Sequence, residues 1–268
     1  MGKRSKLYNG SFAHSHLTQW VTIFGVFLVC SVSGSMIYGG SADKIANMPY
    51  IVSLNAPKLK DYNGFFCGGT LIAPKWVLTA AHCAKHVEAH EMFVRAGSRY
   101  SHRGGQVRNV TRSIVHELYG LETRKDRDFA LLELNSPFIG GNTVQTVDLS
   151  DHRDKYAPGE LCVASGWGRT EKSKRAMKRL RSVMVPLVSH DRCKAAYARY
   201  DSVISNQMLC AGASGIDSCT GDSGGPLVCR NKLVGVISWG RGCGKKTVYG
   251  VYGNVSLARV WILFNSDV

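Results

Sequence analysis

Short apolar runs recur along most of the chain, separated by residues that favour turns, chiefly Gly and Pro. The runs are rich in Val, Ile, Leu and aromatic side chains, which is typical of strands in a β-barrel or β-sandwich. They occupy residues 50–54, 70–72, 76–79, 129–134, 161–164, 227–228 and 233–238. Residues 257–264 instead have apolar side chains at helical spacing. The chain is therefore predicted to be all-β with a short C-terminal helix.

The N-terminal 36 residues differ from the rest of the chain. They begin with the bases Lys3, Arg4 and Lys6, continue with an apolar run over residues 20–32 and then contain the small residues 33–35. This order is typical of a signal peptide, so we predict that residues 1–35 are removed and that the protein is secreted and extracellular. The alternative is a membrane anchor, although the apolar run is shorter than the roughly 20 residues that span a bilayer.

Nine cysteines are present, and Cys30 lies within the predicted signal peptide. The even number that remains indicates four disulfide bonds formed in an oxidising compartment. These eight are Cys67, Cys83, Cys162, Cys193, Cys210, Cys219, Cys229 and Cys243. No two of them have the two-residue spacing of a zinc site, so we predict neither a metal nor a cofactor.

The chain is basic, with a formal net charge of +15, and its hydrophobic fraction of 44% excludes a disordered protein. Basic secreted proteins associate with anionic surfaces, so polyanionic glycans are a predicted partner. No nucleic-acid-binding motif is present, and we predict no such partner. One basic stretch is interpreted as a site for sulfated glycans or acidic substrates, as a self-cleavage loop, or simply as a solvated loop. It contains Lys172, Lys174, Arg175, Lys178, Arg179 and Arg181.

Two tripeptides match the acceptor pattern for N-glycosylation. The first begins at Asn109, within a polar stretch, and the second begins at Asn254. The pattern predicts a glycoprotein, with Asn109 as the stronger of the two sites.

A glycine-rich run over residues 221–226 surrounds Ser223. A serine hydroxyl becomes an effective nucleophile only beside a base and beside amides that stabilise an oxyanion. Glycines permit the tight turn that would direct the amides of Gly221 and Ser223 at one point. The run therefore predicts a nucleophilic serine with an oxyanion hole.

A histidine and an aspartate complete a possible catalytic set. His82 follows an apolar run and precedes Cys83, so we predict a general base at the end of a buried strand, held by a disulfide. Asp128 directly precedes an apolar run and is predicted to be buried, where it would orient the imidazole. Asp126 is the rival, but its neighbours Lys125 and Arg127 predict that it is solvated.

Five motifs together resemble one family. They are the runs at residues 79–83, 128–132, 165–168, 221–226 and 238–240. From Ile37 to the C-terminus the chain resembles the trypsin-like serine proteases of the chymotrypsin family, in which the order His, Asp, Ser also occurs. The resemblance implies two six-stranded antiparallel β-barrels, residues 37–150 and 151–268, with the active site in the cleft between them. His82 and Asp128 would come from the first barrel and Ser223 from the second.

The resemblance also implies how the cysteines pair. Sequence alone allows 105 pairings of eight cysteines, so the connectivity is taken from the family. The implied pairs are Cys67–Cys83, Cys162–Cys229, Cys193–Cys210 and Cys219–Cys243.

Substrate choice is predicted from the residues that match the family's specificity pocket. Asp217 matches the acid at the floor of a trypsin-like pocket, and Ser218 would bond the incoming cation. Gly240 and Gly250 match the open pocket walls. Residues Ser238, Trp239 and Gly240 resemble the edge on which the substrate backbone docks as an added strand. Cleavage after Arg or Lys is therefore predicted.

Activation in this family requires a new N-terminal Ile whose ammonium pairs with the acid before the nucleophile. Here these residues would be Ile37 and Asp222, and the protein is predicted to be a zymogen. Met36 departs from the usual Arg or Lys, so we hypothesise activation by signal removal plus trimming, or by a protease of another specificity. A wrongly assigned gene start is the alternative.

Two ion sites of relatives are also considered. Residues 98–108 correspond to a calcium loop but contain no acid, and we predict no calcium site there. Tyr249 stands where some relatives bind Na⁺, although simple packing is the favoured interpretation.

The leading hypothesis for function is a monomeric serine endopeptidase with protein substrates and protease inhibitors as partners. A catalytically silent homologue that binds polyanions through its basic surface is the alternative.

Overall fold

The computed structural model describes residues 40–59, 64–169, 179–218, 221–243, 245 and 247–268. The predicted signal peptide, Ile37, Cys219 and most of the basic stretch lie outside these residues. Within the part of the chain that is described, no helix is long and apolar enough to cross a membrane.

Six antiparallel strands form the first barrel, in the closed order β2-β3-β4-β7-β6-β5. They are β2 (Ile51–Asn55), β3 (Phe65–Ala73), β4 (Trp76–Thr79), β5 (Phe93–Ala96), β6 (Gln106–Val115) and β7 (Ala130–Leu134). Apolar side chains such as Leu54, Leu78 and Leu131 are fully buried inside it. The closure leaves no unpaired edge among these strands, which satisfies their backbone groups.

The second barrel is closed in the order β9-β10-β11-β14-β13-β12, because β9 pairs with both β10 and β12. Its strands are β9 (Leu161–Gly166), β10 (Arg181–Val188), β11 (Met208–Ala211), β12 (Pro226–Cys229), β13 (Lys232–Trp239) and β14 (Gly250–Asn254). Two short strands extend this sheet: β1 (Ser41–Ala42) pairs with β10, and β8 (Asp148–Leu149) pairs in parallel with β13. The prediction of two six-stranded antiparallel barrels is confirmed.

Three α-helices and two 3-10 helices complete the described fold. The α-helices are α1 (Ala81–Ala84), α2 (His190–Ala198) and α3 (Val255–Ser266), and the 3-10 helices are Ile45–Asn47 and Ala89–Glu91. The Ser189 side chain caps α2 by accepting a hydrogen bond from the amide of Arg192. The helix predicted at the C-terminus is α3, which buries Val255, Trp261 and Ile262 against the barrels.

Three of the four implied disulfide bonds are present: Cys67–Cys83, Cys162–Cys229 and Cys193–Cys210. Cys243 is also disulfide-bonded, and its implied partner lies outside the described residues. The first of these bonds joins β3 to the helix that carries the predicted base.

Candidate active site

His82 lies in the short helix α1, immediately after the buried strand β4. Its backbone amide donates to Asp128 Oδ1 at 2.9 Å, and its ring Nδ1 lies 2.7 Å from Asp128 Oδ2. The carboxylate therefore contacts both the backbone and the ring, which restrains the position and rotation of the imidazole. An ionised carboxylate keeps a proton on Nδ1, and Nε2 is left to accept one.

Asp128 lies just before β7 and is 1% exposed. Besides His82, it accepts a hydrogen bond on Oδ2 from the hydroxyl of Ser238, a residue of the second barrel. A buried carboxylate is tolerated when several donors satisfy it. The three donated bonds do this, and the bond from Ser238 also joins the two barrels at the site.

Asp126 requires a correction, because it was predicted to be solvated and is in fact fully buried. Arg127, which adopts a left-handed backbone conformation with φ +48°, folds back to pair with Oδ2. The hydroxyl of Ser205, far along the chain, donates to Oδ1. Asp126 is thus occupied by an ion pair and a hydrogen bond, and has no bond to His82.

Ser223 is held against the first barrel through its backbone. Its carbonyl oxygen accepts a hydrogen bond from the amide of Gly68 in β3, at 2.8 Å. Gly68 follows Cys67, whose disulfide partner Cys83 follows His82. A short path of covalent and hydrogen bonds therefore links the predicted nucleophile to the predicted base. Among the described residues no hydrogen bond joins Ser223 Oγ to His82, and such bonds often form only with substrate bound.

Asp222, the predicted partner of the new N-terminus, is 1% exposed. One of its oxygens, Oδ1, accepts a hydrogen bond from the amide of Gly168 at 2.7 Å. Ile37 lies outside the described residues, so the activation contact stays a prediction.

A cavity of about 250 Å³ opens beside Ser223. All six predicted substrate-binding residues line it: Asp217, Ser218, Ser238, Trp239, Gly240 and Gly250. Asp217 is only 3% exposed. A Cβ added to Gly250 would lie 2.6 Å from Asp217 Oδ1, so the wall next to the acid has no room for a side chain.

Two tyrosines lie close to this acid and remain neutral. Burial, and secondarily the charge of Asp217, raises the pKa of both Tyr197 and Tyr252. Tyr252 contacts Ser218 at 3.3 Å between hydroxyl oxygens, and Tyr197 packs edge-on against Trp239. The neutral phenols support the cavity wall without adding charge to it.

Sequence reasoning missed Lys125, which lines the same cavity from the first barrel. Its ammonium donates to the carbonyl oxygen of Ser238 at 3.4 Å. The signal that was available is its position three residues before Asp128, since that loop must pass close to the predicted catalytic residues. Ile237, Gly242 and Cys243 are further lining residues that were not predicted.

One cluster has the composition of a metal site but not its chemistry. The ligand atoms of Cys67, His82 and Cys83 lie within 4.8 Å of one another. The two sulfurs are bonded to each other, and Nδ1 of the histidine contacts Asp128. A disulfide offers no thiolate ligand, so this cluster is not a metal centre.

The two predicted glycosylation sites differ in accessibility. Asn109 is exposed on β6, whereas Asn254 is half-buried and its side-chain oxygen accepts a hydrogen bond from Ser256. Both sites stay predictions.

Comparison with known proteins agrees with this geometry. The Trypsin family model matches residues 37–262. Hypodermin-A of Hypoderma lineatum is 38% identical over 250 residues, which cover 91% of this chain and 94% of that protein. Trypsin alpha of Drosophila erecta is 36% identical over 252 residues, with 90% and 95% covered. Trypsin of Simulium vittatum is 39% identical over 228 residues, with 83% and 90% covered. The chain therefore belongs to the trypsin family of serine endopeptidases.

Proposed function

We propose that this protein is a secreted endopeptidase that cleaves after Arg or Lys through an acyl-enzyme. The observation that carries the proposal is the presence of a buried acid, Asp217, in the same cavity as Ser223. The cavity has room for one long side chain, whose cation would pair with the carboxylate.

In the proposed acylation, Ser223 Oγ attacks the carbonyl carbon of the cleaved bond while its proton passes to Nε2 of His82. The amides of Gly221 and Ser223 stabilise the negative oxygen that forms. The C–N bond then breaks, and His82 gives its proton to the leaving amine. Water then attacks the carbonyl carbon of the ester while His82 takes a proton from the water. The bond from that carbon to Ser223 Oγ breaks, and His82 returns the proton to Oγ, so that the serine hydroxyl and the acid product are released.

The contacts of Asp128 suit the role of orienting residue. Since its carboxylate meets both the amide and Nδ1 of His82, the ring is held in the tautomer that accepts at Nε2. The carboxylate also stabilises the imidazolium that forms in each step.

We propose that the substrate backbone pairs with residues Ser238, Trp239 and Gly240, at the end of β13. These residues line the same cavity as Asp217, so a strand added there would direct one side chain at the acid. The hydroxyl oxygen of Ser218, also in the lining, would accept a hydrogen bond from the bound cation.

Activation is proposed to require the ammonium of Ile37 at Asp222. The position of Asp222, buried and directly before Ser223 in the chain, supports this. N-terminal sequencing of the active secreted protein tests the idea, and an active form that begins upstream of Ile37 would contradict it.

Polyanionic glycans remain a proposed partner, supported by a cluster of cations outside the cleft. Tyr100 pairs with Arg179 across an isolated bridge, and Arg103 stacks on its ring at 4.2 Å. Arg99 lies next to Tyr100 in the chain, and none of the three arginines forms an ion pair with a described residue. Salt-dependent retention on a sulfated-glycan column, reduced in an Arg99, Arg103 and Arg179 triple Gln variant, tests this partner.

The catalytically silent alternative is not favoured, because His82 and Asp128 are in contact and Ser223 adjoins the cavity. The test is hydrolysis of matched peptides with Arg, Lys, Phe or Val at the cleaved position, using protein that begins at Ile37. Strong cleavage after Arg and Lys is expected, with a loss of about 10⁶-fold in kcat for Ser223→Ala. A serine-reactive phosphonate should label only the wild type. Absence of both hydrolysis and labelling would overturn the proposal.

A further inference from the structure

The side chain of Lys125 projects into the proposed substrate cleft. It comes from the loop that precedes β7, three residues before Asp128, and it lines the cavity that also contains Asp217 and Ser223. Asp217 lies on the second-barrel side of this cavity, whereas Lys125 belongs to the first barrel. The cleft therefore presents an acid on one side and a cation on the other.

The ammonium of Lys125 has little compensation for its charge. It forms no ion pair with any described residue, and its hydrogen bond to the Ser238 carbonyl oxygen is long, at 3.4 Å. Asp128 attracts it, but the oxygens of that carboxylate already accept bonds from His82 and Ser238. Arg124 repels it, and burial lowers its pKa. A half-buried cation in this state gains more electrostatic free energy from an added carboxylate than an exposed lysine does.

The neighbouring acid cannot provide that carboxylate. Asp126 follows Lys125 in the chain, but it is fully buried and bonded to Arg127 and Ser205. No described acid forms an ion pair with Lys125, so a carboxylate that paired with it would have to come from outside the described residues.

The docking mode determines which substrate residue would meet Lys125. A substrate that pairs with β13 is extended, so its successive side chains point to opposite faces. If the cleaved residue points to Asp217 in the second barrel, the residue before it points to the first barrel, where Lys125 lies. The substrate amide that pairs with Ser238 also competes with Lys125 for the same carbonyl oxygen, and an adjacent carboxylate would draw the ammonium away.

We propose that Lys125 is a specificity-determining residue, which selects substrates with Asp or Glu directly before the cleaved Arg or Lys. The inference rests on the proposed function, because it requires cleavage after a basic residue. It adds a second electrostatic criterion, so that the preferred sequence is an acid followed by a base.

The test compares two peptides that differ only in Asp or Asn before the cleaved Arg. For the wild type that begins at Ile37, we expect kcat/KM to be about 3- to 10-fold higher for the Asp peptide, as for a partly buried ion pair. The preference should fall as salt is raised. Lys125→Gln should reduce the ratio to about 1, and Lys125→Glu should invert it.

Two further variants separate charge recognition from a structural effect. Lys125→Arg keeps the charge and should keep the preference, whereas Arg124→Gln removes the adjacent exposed cation and should change the ratio less than 2-fold. Equal cleavage of both peptides by the wild type would overturn this inference alone. Failure to cleave either peptide would instead overturn the proposed function on which it rests.

Discussion

The amide of Gly68, in the first barrel, donates a hydrogen bond to the carbonyl oxygen of Ser223, in the second, at 2.8 Å. The next amide, that of Gly224, donates to the carbonyl oxygen of Ile237 in β13 at the same distance. The loop that carries the proposed nucleophile is thus held from both barrels. The geometry of the loop depends on this close approach of the backbones. We therefore expect that even a small side chain added in the loop would displace it.

Gly224 provides the sharpest test of that dependence. It has φ +80°, and an added Cβ would overlap Thr79 Oγ1 and the carbonyl oxygen of Gly68. We expect Gly224→Ala to lower the free energy of unfolding by about 1–3 kcal/mol and to lower kcat/KM by at least about 10²-fold, because a small misplacement of the nucleophile is costly.

Thermal unfolding and peptide hydrolysis measure both effects. Gly141→Ala is the matched control, since nothing lies within 4 Å of its added Cβ. Wild-type activity in the Gly224→Ala variant would show that the loop tolerates displacement.

Asp217 is expected to determine the preference for basic residues. Asp217→Asn keeps the size of the side chain but removes the charge, so a bound Arg would lose its partner. We expect kcat/KM for an Arg peptide to fall by about 10²- to 10⁴-fold, as for a broken buried ion pair. Cleavage after Phe should not fall in parallel. The exposed acid Asp148, replaced by Asn, is the control, and an equal loss for the Arg and Phe peptides would argue against a specificity role.

The wall of the cavity makes a separate prediction. A methyl group at Gly250 would lie 2.6 Å from Asp217 Oδ1, whereas one at Gly240 would have no contact nearer than 3.9 Å. Gly250→Ala should therefore raise KM for Arg and Lys peptides much more than Gly240→Ala does. The comparison requires KM and kcat for both variants, and an equal effect of the two would contradict the assigned position of the bound cation.

The proposed catalytic residues could be picked out from the sequence because each of them lies in a local motif beside an apolar strand. Contacts between distant parts of the chain could not be predicted in this way. Asp126 is bonded to Ser205, and Lys125 is bonded to Ser238. Each partner lies more than 70 positions away along the chain. The charged neighbours of Asp126 indicated solvation, but one of them, Arg127, is its ion-pair partner. Local composition does not distinguish a solvated acid from an acid that is buried in an ion pair with its neighbour.

His116 connects the loop before Asp128 to the C-terminal helix. Its ring stacks on Trp261, with 4.8 Å between centroids, and its Nδ1 accepts a hydrogen bond from the amide of Leu118 at 3.2 Å. Burial lowers the pKa of this imidazole below its usual value near 6.5, and Glu117 opposes the shift. A protonated ring cannot accept the Leu118 bond, so the folded state favours the neutral form.

This relationship predicts the direction of a pH effect on stability. Because the folded pKa is depressed, the unfolded chain binds more protons at His116 as the pH falls below about 6.5. The contribution to stability is present above that value and is lost as the pH falls towards the folded pKa. His116→Asn removes the titratable ring, and the side-chain oxygen of Asn can still accept a hydrogen bond from the amide of Leu118, two residues further along the chain. Between pH 7 and pH 5 the wild type should therefore lose about 1 kcal/mol more than the variant, the size of one hydrogen bond. Both proteins are made with Ser223→Ala to avoid self-digestion, and their free energies of unfolding in urea are measured across this pH range. Parallel pH curves for the proteins with and without His116→Asn would refute the prediction.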